Sequence, residues 1–142
     1  MRILRYRLTF ETTEPIQFLD VTQPVRDWVA ATAIREGLLT LISPHTTARV
    51  NVNEREAQLQ RDMTTFLKRL VPQDGDWLHN IDTVDDRPNA HSHLLGLFMN
   101  SSETIPVADG APLLGGWQSI FFIELDGPRP SRHLDLQIMG EG

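Results

Sequence analysis

The sequence predicts an α+β fold, a mostly antiparallel sheet with two main helices and one short helix, in a single domain spanning residues 1–142. Three observations carry this expectation. Segments with a period of two outnumber segments with helical spacing. Most neighbouring strand segments are joined by short turns rather than helical crossovers, which favours antiparallel pairing. No repeat, low-complexity tract or linker divides the chain.

In chain order, residues 3–12 alternate Leu4, Tyr6, Leu8 and Phe10 against Ile3, Arg5, Arg7 and Thr9, the pattern of a strand with one buried face. Pro15 interrupts, and residues 16–20 are a short second strand. Thr22 reads as a helix N-cap, with Pro24 in the first turn and Val25, Trp28, Val29 and Thr32 on one stripe. Gly37 reads as the stop of that helix. The apolar run 38–43 is a central strand, and 48–53 alternates as another. Residues 54–70 carry Leu59, Met63, Phe66, Leu67 and Leu70 at three- and four-residue spacing, the clearest helix in the chain, with Glu54 in its first turn and Pro72 closing it.

Residues 73–88, with five aspartates around Trp77 and His79, read as a long loop, and long loops in compact domains tend to carry function. Asn89 caps a short helix running to Phe98. Residues 104–107 and Leu113-Leu114 flank Ala108-Asp109-Gly110, a hairpin turn. Residues 117–126 form a strongly apolar strand, and 133–139 alternate as the last one.

Composition narrows the function classes. Hydrophobic residues at 40% and charged residues at 23% describe a chain able to bury a core. A net charge of -6 gives no general attraction to nucleic acid or to an anionic membrane, so an anionic ligand needs a local positive pocket. Without cysteine, disulfides and thiolate metal sites are excluded. The N-terminal residues alternate charge with apolar groups and do not read as a signal peptide, so a cytoplasmic protein is expected.

Four of the five histidines lie between positions 45 and 93. His79, His91 and His93 are candidate metal ligands, since neutral imidazole is a common ligand of zinc. His91 and His93 share one side on an extended segment but diverge by about 200° on a helix, where only one could serve a given ion. The alternative is that one packs or caps while the other is solvated. Asp62, a poor helix former in the middle of a good helix, is a candidate general base or metal partner, or a solvated residue beside Arg61. The turn Ser43-Pro44-His45-Thr46-Thr47 offers hydroxyls, an imidazole and N–H groups that suit an oxyanion, and equally describes an ordinary polar turn. Asn100-Ser101-Ser102 is a second polar turn. Arg49, Asn51 and Asn53 share one face of their strand, and the two amides are expected to bond a ligand or a neighbouring loop. Glu124, Asp126, Arg129 and Arg132 read as a structural or intersubunit ion-pair set.

Taken in order, Pro44-His45-Thr46-Thr47, Asn53-Glu54, Arg61-Asp62, Trp77-Leu78-His79-Asn80, Asn89-Ala90-His91-Ser92-His93, Gly115-Gly116-Trp117-Gln118 and Glu124-Leu125-Asp126-Gly127-Pro128-Arg129 resemble the YjbQ-like family, of the secondary thiamine-phosphate synthase type. The resemblance spans about Leu8 to Gly140. It implies an α+β fold, a compact homotrimer, and a pocket around His45, Asp62, His79, His91 and His93 that holds a divalent metal ion, zinc or magnesium, and a sulfate-like anion. Where the family commonly has Gly-Pro-Ser, this chain has Asn100-Ser101-Ser102, keeping only the last serine.

The function expected is a metal-assisted enzyme, a transferase-type protein acting on phosphorylated small molecules, with His45 and Asp62 catalytic, Thr46, Thr47 and Ser102 binding the anion, and His79, His91 and His93 on the metal. The competing expectation is a protein that binds a metal or metabolite without chemistry.

Overall fold

The computed structural model describes residues 1–142. Eight strands and three α-helices are arranged as two antiparallel sheets with their helices: β1 (Arg2–Thr12), β2 (Gln17–Asp20), α1 (Thr22–Thr32), β3 (Glu36–Ile42), β4 (Ala48–Glu54), α2 (Ala57–Leu70), α3 (Ala90–Leu95), β5 (Ser102–Ala108), β6 (Ala111–Pro112), β7 (Gln118–Glu124) and β8 (Arg129–Glu141). The α+β architecture matches the expectation. Sheet order is β1-β8-β3-β5-β6 in the larger sheet and β2-β7-β4 in the smaller.

The period of two explains how the sheets stack. Leu134, Leu136 and Ile138 of β8, with Leu39 and Leu41 of β3, face inward and meet Val50, Ile120 and Phe122 of the smaller sheet in one core. Helix α1 closes one side of that core with Val25 and Val29. On the reverse face of the smaller sheet, Phe121 and Ile123 pack under Leu67 of α2 and Leu95 of α3 in a second core. Strand β7 is thus covered on both faces, which is why its sequence is a continuous apolar run rather than an alternation.

Several boundaries differ from the sequence reading, each for a physical reason. Thr22 is the first helical residue, and its hydroxyl bonds Asp20 Oδ1 at 2.6 Å and accepts the Ile120 N–H at 2.8 Å. The helix ends at Ala33 in the left-handed region (φ 60°), not at Gly37. Gly37 lies inside β3 opposite Gly140, where a Cβ would come within 2.1 Å of the Met139 carbonyl oxygen. Glu54 closes β4 instead of opening α2, and Glu56 caps the helix by accepting the Leu59 N–H at 2.8 Å. The Asp109-Gly110 turn has both residues at positive φ, and the return strand begins at Ala111 rather than Leu113. Trp117 stays outside β7 and is 80% exposed. No helix is long and apolar enough to cross a membrane.

Candidate functional site

The candidate site forms where the turn after β3, the segment 79–93 and the start of β8 converge. Helix α3 gives it one wall. As helical geometry requires, His91 and His93 point apart. His93 faces a cavity of about 340 Å³ beside His79, whereas His91 is buried. The three histidines therefore do not form one set. His79 and His93 meet edge to face with ring centroids 4.9 Å apart.

Hydrogen bonding fixes which nitrogen of His79 is free. The Asp126 carboxylate is held ionised, since Arg87, Asn89 and Arg129 donate to it and more than offset its burial, keeping its pKa below the usual range. A carboxylate only accepts, so the Asn89 atom 2.7 Å from Asp126 Oδ2 is the amide nitrogen. The Asn89 oxygen then faces His79 Nε2 at 3.0 Å, so Nε2 carries the proton and neutral His79 keeps its lone pair on Nδ1. Asn89 does not cap α3 with its side chain, contrary to its sequence reading, because the amide is engaged in this chain of bonds.

His45 is prepared in the opposite sense. Its Nε2 accepts the backbone N–H of His133 at 2.9 Å, which leaves Nδ1 to carry the proton of the neutral ring. The two imidazoles stack with centroids 5.9 Å apart. Burial, with the Arg132 charge next, pushes the His45 pKa below the ordinary histidine value. A neutral His45 thus presents a donor, and a neutral His79 an electron pair.

A second cavity of about 290 Å³, lined by polar side chains apart from Pro44, joins His45, Thr46 and Thr47 to Asp85, Asn89, Arg129 and Arg132. The four charges expected to form one ion-pair set divide into two. Arg132, 4% exposed at its side chain, pairs with the fully buried Glu124 and donates to Thr47 Oγ1 at 2.8 Å. Burial opposes ionisation of Glu124, but bonds from Arg132, the Asp126 N–H and Thr12 hold its pKa below the usual range. Asp126 is shared by Arg129 at 2.7 Å and by Arg87 at 3.0 Å. Asp85 lines the same cavity, so the three guanidiniums of Arg87, Arg129 and Arg132 are set against three carboxylates, those of Asp85, Asp126 and Glu124.

The remaining candidates fall elsewhere. Asp62 is exposed on α2 in a shallow depression with Gln58, Arg61 and Thr65, and does not meet the histidines within one chain. Ser102 opens β5 opposite Ile42 and lies outside both cavities. Ser92 Oγ bonds the Leu125 carbonyl at 2.6 Å and lies 3.3 Å from His91 Nε2, while His91 Nδ1 is buried with no acceptor or donor from the protein. Arg87 and His133 are additions that the sequence reading missed. Nothing in the local pattern of Arg87 marks it, whereas the alternation of β8 placed His133 on a half-exposed face beside Thr9.

No group of three His, Asp or Glu side chains converges as a closed metal cage. His79 Nδ1 with its lone pair set by Asn89, and His93 beside it, fit an open site in which a bound anion or water would complete the coordination.

Comparison with known proteins decides the family. The UPF0047 protein YjbQ-like family model matches residues 6–141. The chain belongs to the YjbQ-like family. Among its relatives, a UPF0047 protein of Methanothermobacter thermautotrophicus is 36% identical over 99% of this chain and 95% of its own length. The YugU protein of Bacillus subtilis, also UPF0047, is 31% identical over 94% of this chain and 97% of its own. Solved YjbQ-like folds agree closely. A YbjQ-like protein of unknown function from Sulfolobus solfataricus P2 superposes with a TM-score of 0.93 at 32% identity, covering 99% of each chain. The hypothetical protein APE1520 of Aeropyrum pernix K1 gives 0.90 at 40% identity, covering 97% of this chain and 99% of that one.

Proposed function

We propose that this YjbQ-like chain is a metal-assisted enzyme acting on phosphorylated small molecules, in the two cavities lined by His45 and by His79, which share Asn89 and His93. The observation that carries this reading is the wall of the His45 cavity. The His45 imidazole with its Nδ1–H, the Thr46 and Thr47 hydroxyls and the Arg129 and Arg132 guanidiniums all line it, with Asp85 as the one carboxylate there. Such a wall suits a phosphate, which takes several donors at once.

His79 and His93 would hold a divalent ion, zinc or magnesium, which supplies charge neutralisation for a phosphoryl or pyrophosphoryl group. The chain's own residues account for the rest. His45 donates from Nδ1 to an anionic oxygen, because its other nitrogen is occupied by the His133 amide. Thr46 and Thr47 sit at the same mouth. Within one chain Asp62 and Ser102 have no part in it. The specific reaction to examine is weak thiamine-phosphate synthase transfer, in which a pyrimidine diphosphate joins a thiazole phosphate and pyrophosphate leaves.

A cytoplasmic homotrimer is part of the proposal. Leu97 and Phe98 after α3, Leu78 beside His79, and Trp117 are 72–86% exposed, and apolar surface of that kind is suited to burial between copies. Light scattering tests it directly.

The functional test is turnover of the two phosphorylated substrates, with metal content and phosphate-induced thermal stabilisation measured in parallel, on wild type and on His45→Ala, His79→Ala and Arg129→Gln. Loss of turnover in all three supports the enzyme. Stabilisation by phosphate without turnover of any substrate makes the chain a binding protein instead. Unchanged phosphate response in His45→Ala and Arg129→Gln defeats the reading.

A further inference from the structure

The carboxylates set against the three guanidiniums are not equivalent. Asp126 is bound by Arg87 and Arg129, and Glu124 by Arg132. Asp85 forms no ion pair, and its one hydrogen bond within the protein is the Arg87 N–H accepted by Oδ1 at 3.2 Å. An ionised carboxylate has about four acceptor positions, so most of its capacity is uncommitted. A carboxylate whose task was to neutralise the arginines would lie within ion-pair reach of one of them.

The position of Asp85 gives it a different task. Residues 81–85 form one wall of the His79 cavity. The segment turns at Asp82 and Asp86, both in the left-handed region (φ 52° and 59°) that aspartate tolerates better than most residues. Asp85, Asn89 and His93 line this cavity and the His45 cavity alike, so they form the partition between the two. Asn89 is already spent on Asp126 and His79. The His45 cavity thus has two kinds of lining: donors from His45, Thr46 and Arg129, and one free carboxylate. Its volume of about 290 Å³ lies at the small end of ligand pockets.

We propose that Asp85 determines the specificity of this cavity, and that the ligand is a small zwitterionic phosphomonoester carrying an ammonium or similar cationic nitrogen close to its phosphate. The inference rests on reading the cavity as a phosphate site and adds what separates its ligand from other phosphates. His45 and Arg129 donate to the phosphate oxygens, and Asp85 accepts from the cationic N–H. Towards a plain anion the same carboxylate is repulsive. One residue therefore favours the matching ligand and disfavours its competitors.

Isothermal titration of the full-length chain tests this with aminoethyl phosphate, propyl phosphate of nearly the same shape, and inorganic phosphate. The proteins are wild type, Asp85→Asn and Asp82→Asn. The amide in Asp85→Asn can still accept the Arg87 N–H, so the turn is kept. Asp82→Asn removes the same charge from a residue that lines the His79 cavity and not the His45 cavity, at a backbone conformation that suits asparagine equally. Asp85 is exposed, so the preference is modest: wild type and Asp82→Asn should bind aminoethyl phosphate about threefold or more tighter than propyl phosphate. Asp85→Asn should lose that preference and bind inorganic phosphate at least as tightly as wild type. Equal affinity of wild type for the aminoethyl and propyl compounds overturns the inference and leaves the phosphate cavity in place. So does an Asp85→Asn protein that keeps the preference, or one that loses affinity for all three ligands, which makes Asp85 a scaffold of its turn. A preference lost equally in Asp82→Asn belongs to overall charge and overturns the inference too. A wild-type chain that binds none of the three removes both readings together.

Discussion

Asn89 Nδ2 lies 2.7 Å from Asp126 Oδ2, and the far end of the same amide meets His79 Nε2 at 3.0 Å. A carboxylate thereby sets the proton of an imidazole it does not touch. Nitrogen NMR of the neutral ring should show Nε2 protonated and Nδ1 bare for His79, and the reverse for His45. Asn89→Ala should lose the His79 preference and weaken zinc binding by about 10–100-fold with little change in fold. The same tautomer on both rings would contradict the hydrogen-bond assignment.

Acid should destabilise the chain over two pH windows. Burial, more than any charge, lowers the pKa of His45, His91 and His93 below the ordinary histidine value. Between those lowered values and about 6.5 the unfolded chain binds more protons than the native one. The stability gained by keeping these rings neutral is complete above about pH 6.5 and is lost as pH falls through that window. Glu124 and Asp126, also lowered, add a contribution present above about pH 4 and lost as pH falls through their native values. Melting temperature should therefore decline from neutral pH downward; a rise on mild acidification is the contrary result.

Arg132 and Glu124 form the most deeply buried ion pair, at 4% and 0% side-chain exposure. Glu124→Gln or Arg132→Met alone should cost ~3–5 kcal/mol in chemical denaturation, because each leaves one buried charge unmatched. Combining Glu124→Leu with Arg132→Met should recover much of that loss. Additive losses in the double variant would show that packing, rather than charge pairing, dominates.

Gly37→Ala should be poorly tolerated. The new methyl meets backbone on the neighbouring strand, at 2.1 Å from the Met139 oxygen and 2.9 Å from Gly140 Cα, so no side chain can move aside. A loss of at least the ~1–3 kcal/mol of ordinary overpacking is expected from a urea melt. Gly116→Ala, with nothing within 4 Å, is the matched control and should melt like wild type.

Much of the fold was readable from periodicity, because each element has one buried face. The alternation of Leu4, Leu8 and Phe10, and of Leu134, Leu136 and Ile138, is the inner face of β1 and β8. Gly37 misled because glycine serves both a helix end and a close strand approach, and only the partner, Gly140, distinguishes them. In the site, the divergence of His91 and His93 followed from helical geometry alone. The Asp126–Asn89–His79 relay did not, since its two bonds span 37 and 10 positions and depend on side-chain amide orientation. The separation of Asp62 from the histidines within one chain was not legible either, because poor helix propensity says nothing of which face of α2 the residue takes.

Strand β1 lies at the rim of its sheet and takes its only strand partner from β8, with Arg7 bound to Asp135 across 128 positions. On a ribosome, that first strand must wait for nearly the whole chain before its ladder can close. Loop closure over such a span is slow, so folding of this protein should be rate-limited by a late docking event. In the interval a twist-prone ribbon of alternating apolar residues stands open to chaperones, and to misassembly with its own nascent copies.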